Sequence, residues 1–170
     1  MSQPEAWLRG PVPGIPALLQ PVAHGLIQCR EEVTARVTGL TADQIWARPF
    51  GGASIGFHAR HAAGSLDRLF TYARGEQLSA AQLATLDSEE HPDLAADVDR
   101  KIVAFFNETV DRAFQQLRTT HEATLLEARA VGRKQLPSTV LGLLFHAAEH
   151  TQRHVGQLVT SVKALSLRAE

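Results

Sequence analysis

His146, His150 and His154 recur at four-residue intervals within TVLGLLFHAAEHTQRHVGQLVTSVKAL, so a helix over this segment stacks three imidazoles along one side. Neutral imidazole is the commonest metal ligand, and two rings at i and i+4 on a rigid helix can both reach one divalent ion. One helix supplies too few ligands. The best partner is SIGFHARHAAGSLDRLFTYARG, where His58 and His61 occupy a second segment of helical character with no breaker between Phe57 and Ala63. Histidines also satisfy ordinary hydrogen bonds in cores and at surfaces, so spacing alone leaves both readings open.

Three neutral histidines around a small divalent cation leave at least one coordination position free, the arrangement of catalytic rather than closed structural sites. Water bound there becomes a hydroxide source near neutral pH, and a bound thiol ionises. Zinc and nickel both suit imidazole. Glu149 neighbours His150, but adjacent helical positions point about 100° apart, so it is expected to face solvent or pair with Arg153 at i+4. His91, in the polar stretch SEEHPD, is expected in an exposed loop, and His24 at a packing or surface position.

Helices must place these rings. A proline-rich opening (Pro4, Pro11, Pro13, Pro16) predicts an extended lead-in over residues 1–15, because proline lacks a donor and restricts the residue before it. A first long helix is predicted from Pro16 or Pro21 to about Thr38. Thr41 with Gln44 has the spacing of a capping box and predicts a short turn through Trp46. A second long helix starts at Ser54, with Ile55, His58, Ala62, Leu66, Leu69 and Ala73 on one face and Gly75 as its stop. Ser79 with Gln82 repeats the box in the connection that follows. A third helix, Asp97 to Thr119, carries the apolar stripe Val98, Ile102, Phe105, Phe106, Val110, Ala113 and Leu117. The stretch from His121 to Leu136 is ambiguous, and Pro137 and Ser138 are expected to start the fourth helix. On that helix Leu141, Leu144, Phe145, Ala148, Val155 and Val162 form the main apolar stripe, and the histidines border it. Nothing shows the alternation of a strand series. The expected fold is all-α, an antiparallel four-helix bundle, in which interior positions can be given to ligands.

Composition excludes several partners. The 170 residues suit a single domain, able to bury roughly 70% of the unfolded chain's surface without covalent staples. Cys29 is the single cysteine. It permits no disulfide framework, fits a reducing compartment, and reads as a small helix hydrophobe rather than a nucleophile. The net charge of -1, with basic and acidic residues interleaved, offers no stripe for a phosphate backbone, so no direct nucleic-acid contact is expected. The start lacks a basic region followed by an apolar stretch, and no eighteen apolar residues run unbroken, so neither export nor membrane insertion is expected and the location reads as cytoplasmic. A homodimer is expected if Phe105 or Phe106 faces outward.

Ser54 to His61 on the second helix, followed far downstream by EHTQRHVGQ on the fourth, resembles the DinB-like superfamily over nearly the whole chain. The resemblance implies an up-down-down-up four-helix bundle holding one divalent metal through three histidines, one from the second helix and an HxxxH pair from the fourth. The matching positions are His61, His150 and His154, just before Gly156 and Gln157. Many members read HHRGQ where this chain has RHVGQ, so an arginine that orients a substrate carboxylate has no counterpart at Val155. His58 in place of His61, and His146 in place of His154, remain alternative ligands or cleft-lining groups. Superfamily members include thiol-dependent transferases and isomerases that use low-molecular-weight thiols. That implies a metal-dependent transferase or hydrolase acting on a small molecule, with a non-catalytic metal-binding or sensing protein, or a helical scaffold with incidental histidines, as the alternatives. No Gly-rich phosphate loop, nucleophile elbow or second carboxylate site narrows the catalytic residues or the substrate.

Overall fold

Proline, glycine and capping residues cut the chain into its long helices in the structure, a computed structural model that describes residues 3–166. Helix α1 (Gln20–Val37) follows a 3-10 turn at Ala17–Leu19 and carries Pro21 in its first turn, where a missing N–H has no helical partner to lose. Helix α2 (Ala42–Trp46) opens with a complete box. Thr41 Oγ1 accepts from the Gln44 backbone N–H, and the Thr41 N–H donates to Gln44 Oε1. Helix α3 (Ile55–Ala73) begins at Ser54, whose hydroxyl accepts from the Phe57 N–H at 3.1 Å, and the chain leaves it through Gly75 at φ +79°. Gly56 lets α2 lie directly on the start of α3, since a Cβ there would come within 2.9 Å of both Ile45 and Trp46.

The second box, Ser79 with Gln82, opens a true helix, α4 (Ala80–Ser88), rather than decorating a loop. The Gln82 amide donates to Asp67 Oδ2 and Thr71 Oγ1 on α3, both at 2.7 Å, which fixes α4 against that helix. Helix α5 (Val98–Thr119) buries Val98, Ile102, Phe106, Val110, Ala113 and Leu117, as its stripe predicts, while Phe105 is half-buried. Helix α6 (Val140–Ser166) closes the described chain. Helices α1 and α3 each pack on both α5 and α6, and the α3–α6 contact is the most extensive. Leu26, Val33, Leu66, Phe106, Leu117, Leu144 and Leu158 lie fully buried between them.

Four expectations are corrected. The stretch from His121 to Leu136 contains strand β1 (Ala128–Val131), which pairs antiparallel with β2 (Leu136–Thr139) in the register Ala128 to Thr139. Strands of four residues carry too little alternation to be read from sequence, and an isolated hairpin of this size is marginal in water. Tertiary contacts hold it: Arg129 Nε donates to the Ala73 carbonyl at the end of α3, and the first turn of α6 donates from Val140 and Leu141 to the carbonyls of Glu127 and Leu125. Pro137 and Ser138 therefore belong to β2, and Thr139 starts α6 by accepting from the Gly142 N–H at 3.0 Å. Phe145 is 60% exposed instead of lying in the apolar stripe, because it sits about 100° beyond Leu144, on the side away from α3. Within SEEHPD, Glu89 is buried although Glu90 and His91 are exposed.

The N-terminal lead-in also has local order. A 3-10 turn at Ala6–Leu8 lies against α1, with Ala6 buried and Arg9 paired to Glu31. No helix among the described residues is long and apolar enough to cross a membrane.

Candidate metal centre

Where α3 faces α6, one ring nitrogen from each of His61, His150 and His154 lies within 4.8 Å of the other two. His61 Nε2 and His150 Nε2 are 3.1 Å apart. Two donors bound at about 2.0–2.1 Å to a tetrahedral ion stand about 3.4 Å apart, so these rings can share a cation with small movements. They can equally share a proton as one hydrogen bond. The donor set is all imidazole, which suits zinc, nickel and other borderline divalent ions and not the oxygen-seeking calcium or magnesium.

The remaining candidates separate by position. Each step of four residues rotates a helical side chain by about 40°, so His146, His150 and His154 walk progressively toward the buried side of α6. His146 stays outside, with half its side chain exposed and Nδ1 3.2 Å from Glu149 Oε2. His58 is buried and touches the cluster through one contact, Nδ1 to His154 Nδ1 at 3.1 Å. It stands behind His154 rather than among the three. His24 lies 2.9 Å from the Gly10 carbonyl, away from the cluster. Glu149 pairs with Arg153, as expected from the i+4 spacing.

Burial favours the neutral ring at His58, His150 and His154. Burial, reinforced by His61, His150, His58 and Arg153, lowers His154 to about 4. Burial and then the neighbouring His61 hold the His58 imidazole below its ordinary value. Burial leads for His150 too, followed by His61, His146 and Arg153, while Glu149 opposes them. Neutral imidazole is the form that ligates metal. The phenyl ring of Phe57 stacks on His61, with centroids 5.2 Å apart and planes at 16°, and touches His58 and His154 edge-on. It covers the cluster on the α3 side.

Three participants were not legible in the sequence. Glu89 Oε2 lies 2.7 Å from His61 Nδ1, and its other oxygen accepts from Arg68 at 2.6 Å. Phe57 is, by sequence, one apolar residue of a helical segment. The usable signal near Glu89 was the Ser79 box, which announces a helix starting at Ala80 and so a short helical segment leading toward that carboxylate. Cys29 is buried in α1, and burial pushes its thiol up to about 12, so it is protonated and inert as a nucleophile.

The profile of the DinB superfamily matches residues 26–158. The chain belongs to the DinB superfamily. The matched span runs from α1 to α6 and contains all three clustered histidines. A crystal structure of a conserved protein from Enterococcus faecalis shares 18% identity, with a TM-score of 0.68 over 86% of this chain and 95% of that chain. Likeness at that identity speaks for the fold alone. No curated protein matches the chain.

Proposed function

We propose that this DinB-superfamily protein is a metal-dependent enzyme whose four long helices form an up-down-down-up bundle around one divalent ion. The ligands are His61 from α3 and His150 and His154 from α6, and the ion is zinc or nickel. One observation carries the reading: three imidazoles from two helices distant in sequence converge on one point. Three protein ligands leave a coordination position for water or a thiolate, and a bound divalent ion lowers the pKa of either, supplying a nucleophile near neutral pH.

The protein's own part is to orient and to exclude water. Phe57 covers His61, and His58 packs against His154 with a ring nitrogen in hydrogen-bonding range. Since the ligand set is uncharged, an anionic fourth ligand is favoured, which supports a low-molecular-weight thiol as co-substrate and a thiol-dependent S-transfer or hydrolysis of a small molecule in the cytoplasm. Elemental analysis of untagged protein, followed by a thiol-consumption screen with electrophiles, tests this. About one zinc or nickel per chain and metal-dependent thiol loss are expected. Metal-free protein as purified, with no uptake on titration, would end it.

A second reading is a non-catalytic metal-binding or sensing protein. It is favoured by the position of the histidines across the α3–α6 contact, the most extensive in the molecule, where an ion would clasp two helices. Protein that unfolds on metal removal yet turns over no electrophile decides for that reading.

A further inference from the structure

We propose that Glu89 is a positioning residue for the histidine cluster: paired with Arg68, it fixes His61 in the tautomer that carries its proton on Nδ1 and directs the Nε2 lone pair at His150. The proposal rests on the metal reading of His61, His150 and His154, and adds a group from the end of a third helix that the histidine pattern does not include.

Glu89 is 2% exposed at the end of α4, between the exposed residues Ser88 and Glu90. Burying a carboxylate is expensive unless its oxygens are hydrogen-bonded to donors. Both oxygens are occupied, Oε1 by Arg68 Nη1 at 2.6 Å and Oε2 by His61 Nδ1 at 2.7 Å. An ionised carboxylate can only accept, so the proton between Glu89 and His61 sits on Nδ1. A neutral ring protonated there has its free lone pair on Nε2, the atom 3.1 Å from His150 Nε2. A carboxylate behind a ligating histidine fixes its tautomer and orientation and makes it a better donor.

The fold is shaped for this contact. His61, Gly64 and Arg68 follow at three- and four-residue steps and share one face of α3. At Gly64 a Cβ would lie 2.3 Å from Glu89 Oε1 and 2.7 Å from Arg68 Nη1. Glycine inside a helix is disfavoured by about 1 kcal/mol relative to alanine; here its missing side chain is the space the carboxylate occupies. The Gln82 bonds to Asp67 and Thr71 hold α4 in register with that face.

The test uses the full chain with Glu89→Gln, and with Arg68→Met/Glu89→Gln so that no buried guanidinium is left unpaired. Long-range proton–nitrogen NMR on metal-free protein reads the His61 tautomer directly. Chelator competition with zinc reads affinity, and circular dichroism confirms folding. Wild type is expected to show neutral His61 protonated on Nδ1. The double variant, still folded, is expected to show a tautomer mixture at His61 with His150 and His154 unchanged, and zinc affinity about 10- to 100-fold weaker. Gly64→Ala, which helix propensity favours, is expected to weaken zinc in the same direction. Retention of the Nδ1–H tautomer and wild-type affinity in the double variant would overturn the proposal, as would a doubly protonated His61 in the wild type at neutral pH. If wild type binds no zinc, the metal reading fails, and the tautomer measurement alone decides the role of Glu89.

Discussion

At the scale of residues, the three histidines of α6 test one geometric claim. They share a sequence pattern, but the 40° advance per four residues leaves His146 in solvent and brings His150 and His154 to α3. His154→Ala should abolish stoichiometric zinc binding in a chelator titration, whereas His146→Ala should leave it within about twofold of wild type. Equal losses in both would mean that the ion sits further out on α6 than the proposed centre. The depressed His154 value gives a second test, made on metal-free protein. An unfolded histidine titrates near 6.5 and the folded one at about 4, so the unfolded state binds the extra proton between these values. Stability is therefore full above pH 6.5 and falls as pH drops toward 4. Solvent screening at a half-buried ring limits the loss to about 1–2 kcal/mol. His154→Gln should flatten that part of the urea-derived stability profile; an unchanged slope would remove the assignment.

At the scale of elements, the hairpin and the start of α6 are one unit. Thr139 ends β2 and caps α6 through the Gly142 N–H, so Thr139→Ala should cost about 0.5–2 kcal/mol in chemical denaturation. No cost would place the helix start elsewhere. The α6 stripe can be tested by contrast. Leu144→Ala, at a fully buried position, should lose about 2–5 kcal/mol, and Phe145→Ser should stay within about 0.5 kcal/mol of wild type. A large loss at Phe145 would indicate that a partner covers it. Phe106 lies in the core and Phe105 is half-buried, so of the two phenylalanines Phe105 is the one with ring surface to offer a second copy. Leu126 just before the hairpin, Leu136 in β2 and Phe145 on α6 are large exposed apolar side chains.

At the scale of the whole molecule, an ion held by both α3 and α6 binds the folded state and not the unfolded one, so metal and stability are coupled. At a free zinc concentration 100 times its dissociation constant the gain is about 2.7 kcal/mol, a rise in melting temperature of roughly 5–11 °C for a chain of this size. Calorimetry with and without chelator checks it, and identical melting curves would sink the idea of a shared site.

The sequence by itself determined the four long helices and most of the ligand candidates, because both depend on local periodicity. Caps at Thr41, Ser54 and Ser79, the stop at Gly75 and the stripe from Val98 to Leu117 are readable over one or two turns of chain. So is the stacking of His150 on His154. Spacing left five histidines open, and tertiary structure decided which of them meet between α3 and α6, because a ring's direction depends on where the neighbouring helix lies. It also decided that Glu89 and not Glu90 is buried, since that choice is made by Arg68 and the space above Gly64, twenty-one and twenty-five residues upstream. The hairpin belongs to the same class: its strands are too short to announce themselves, and they exist because α3 and α6 supply the hydrogen-bond partners that hold them.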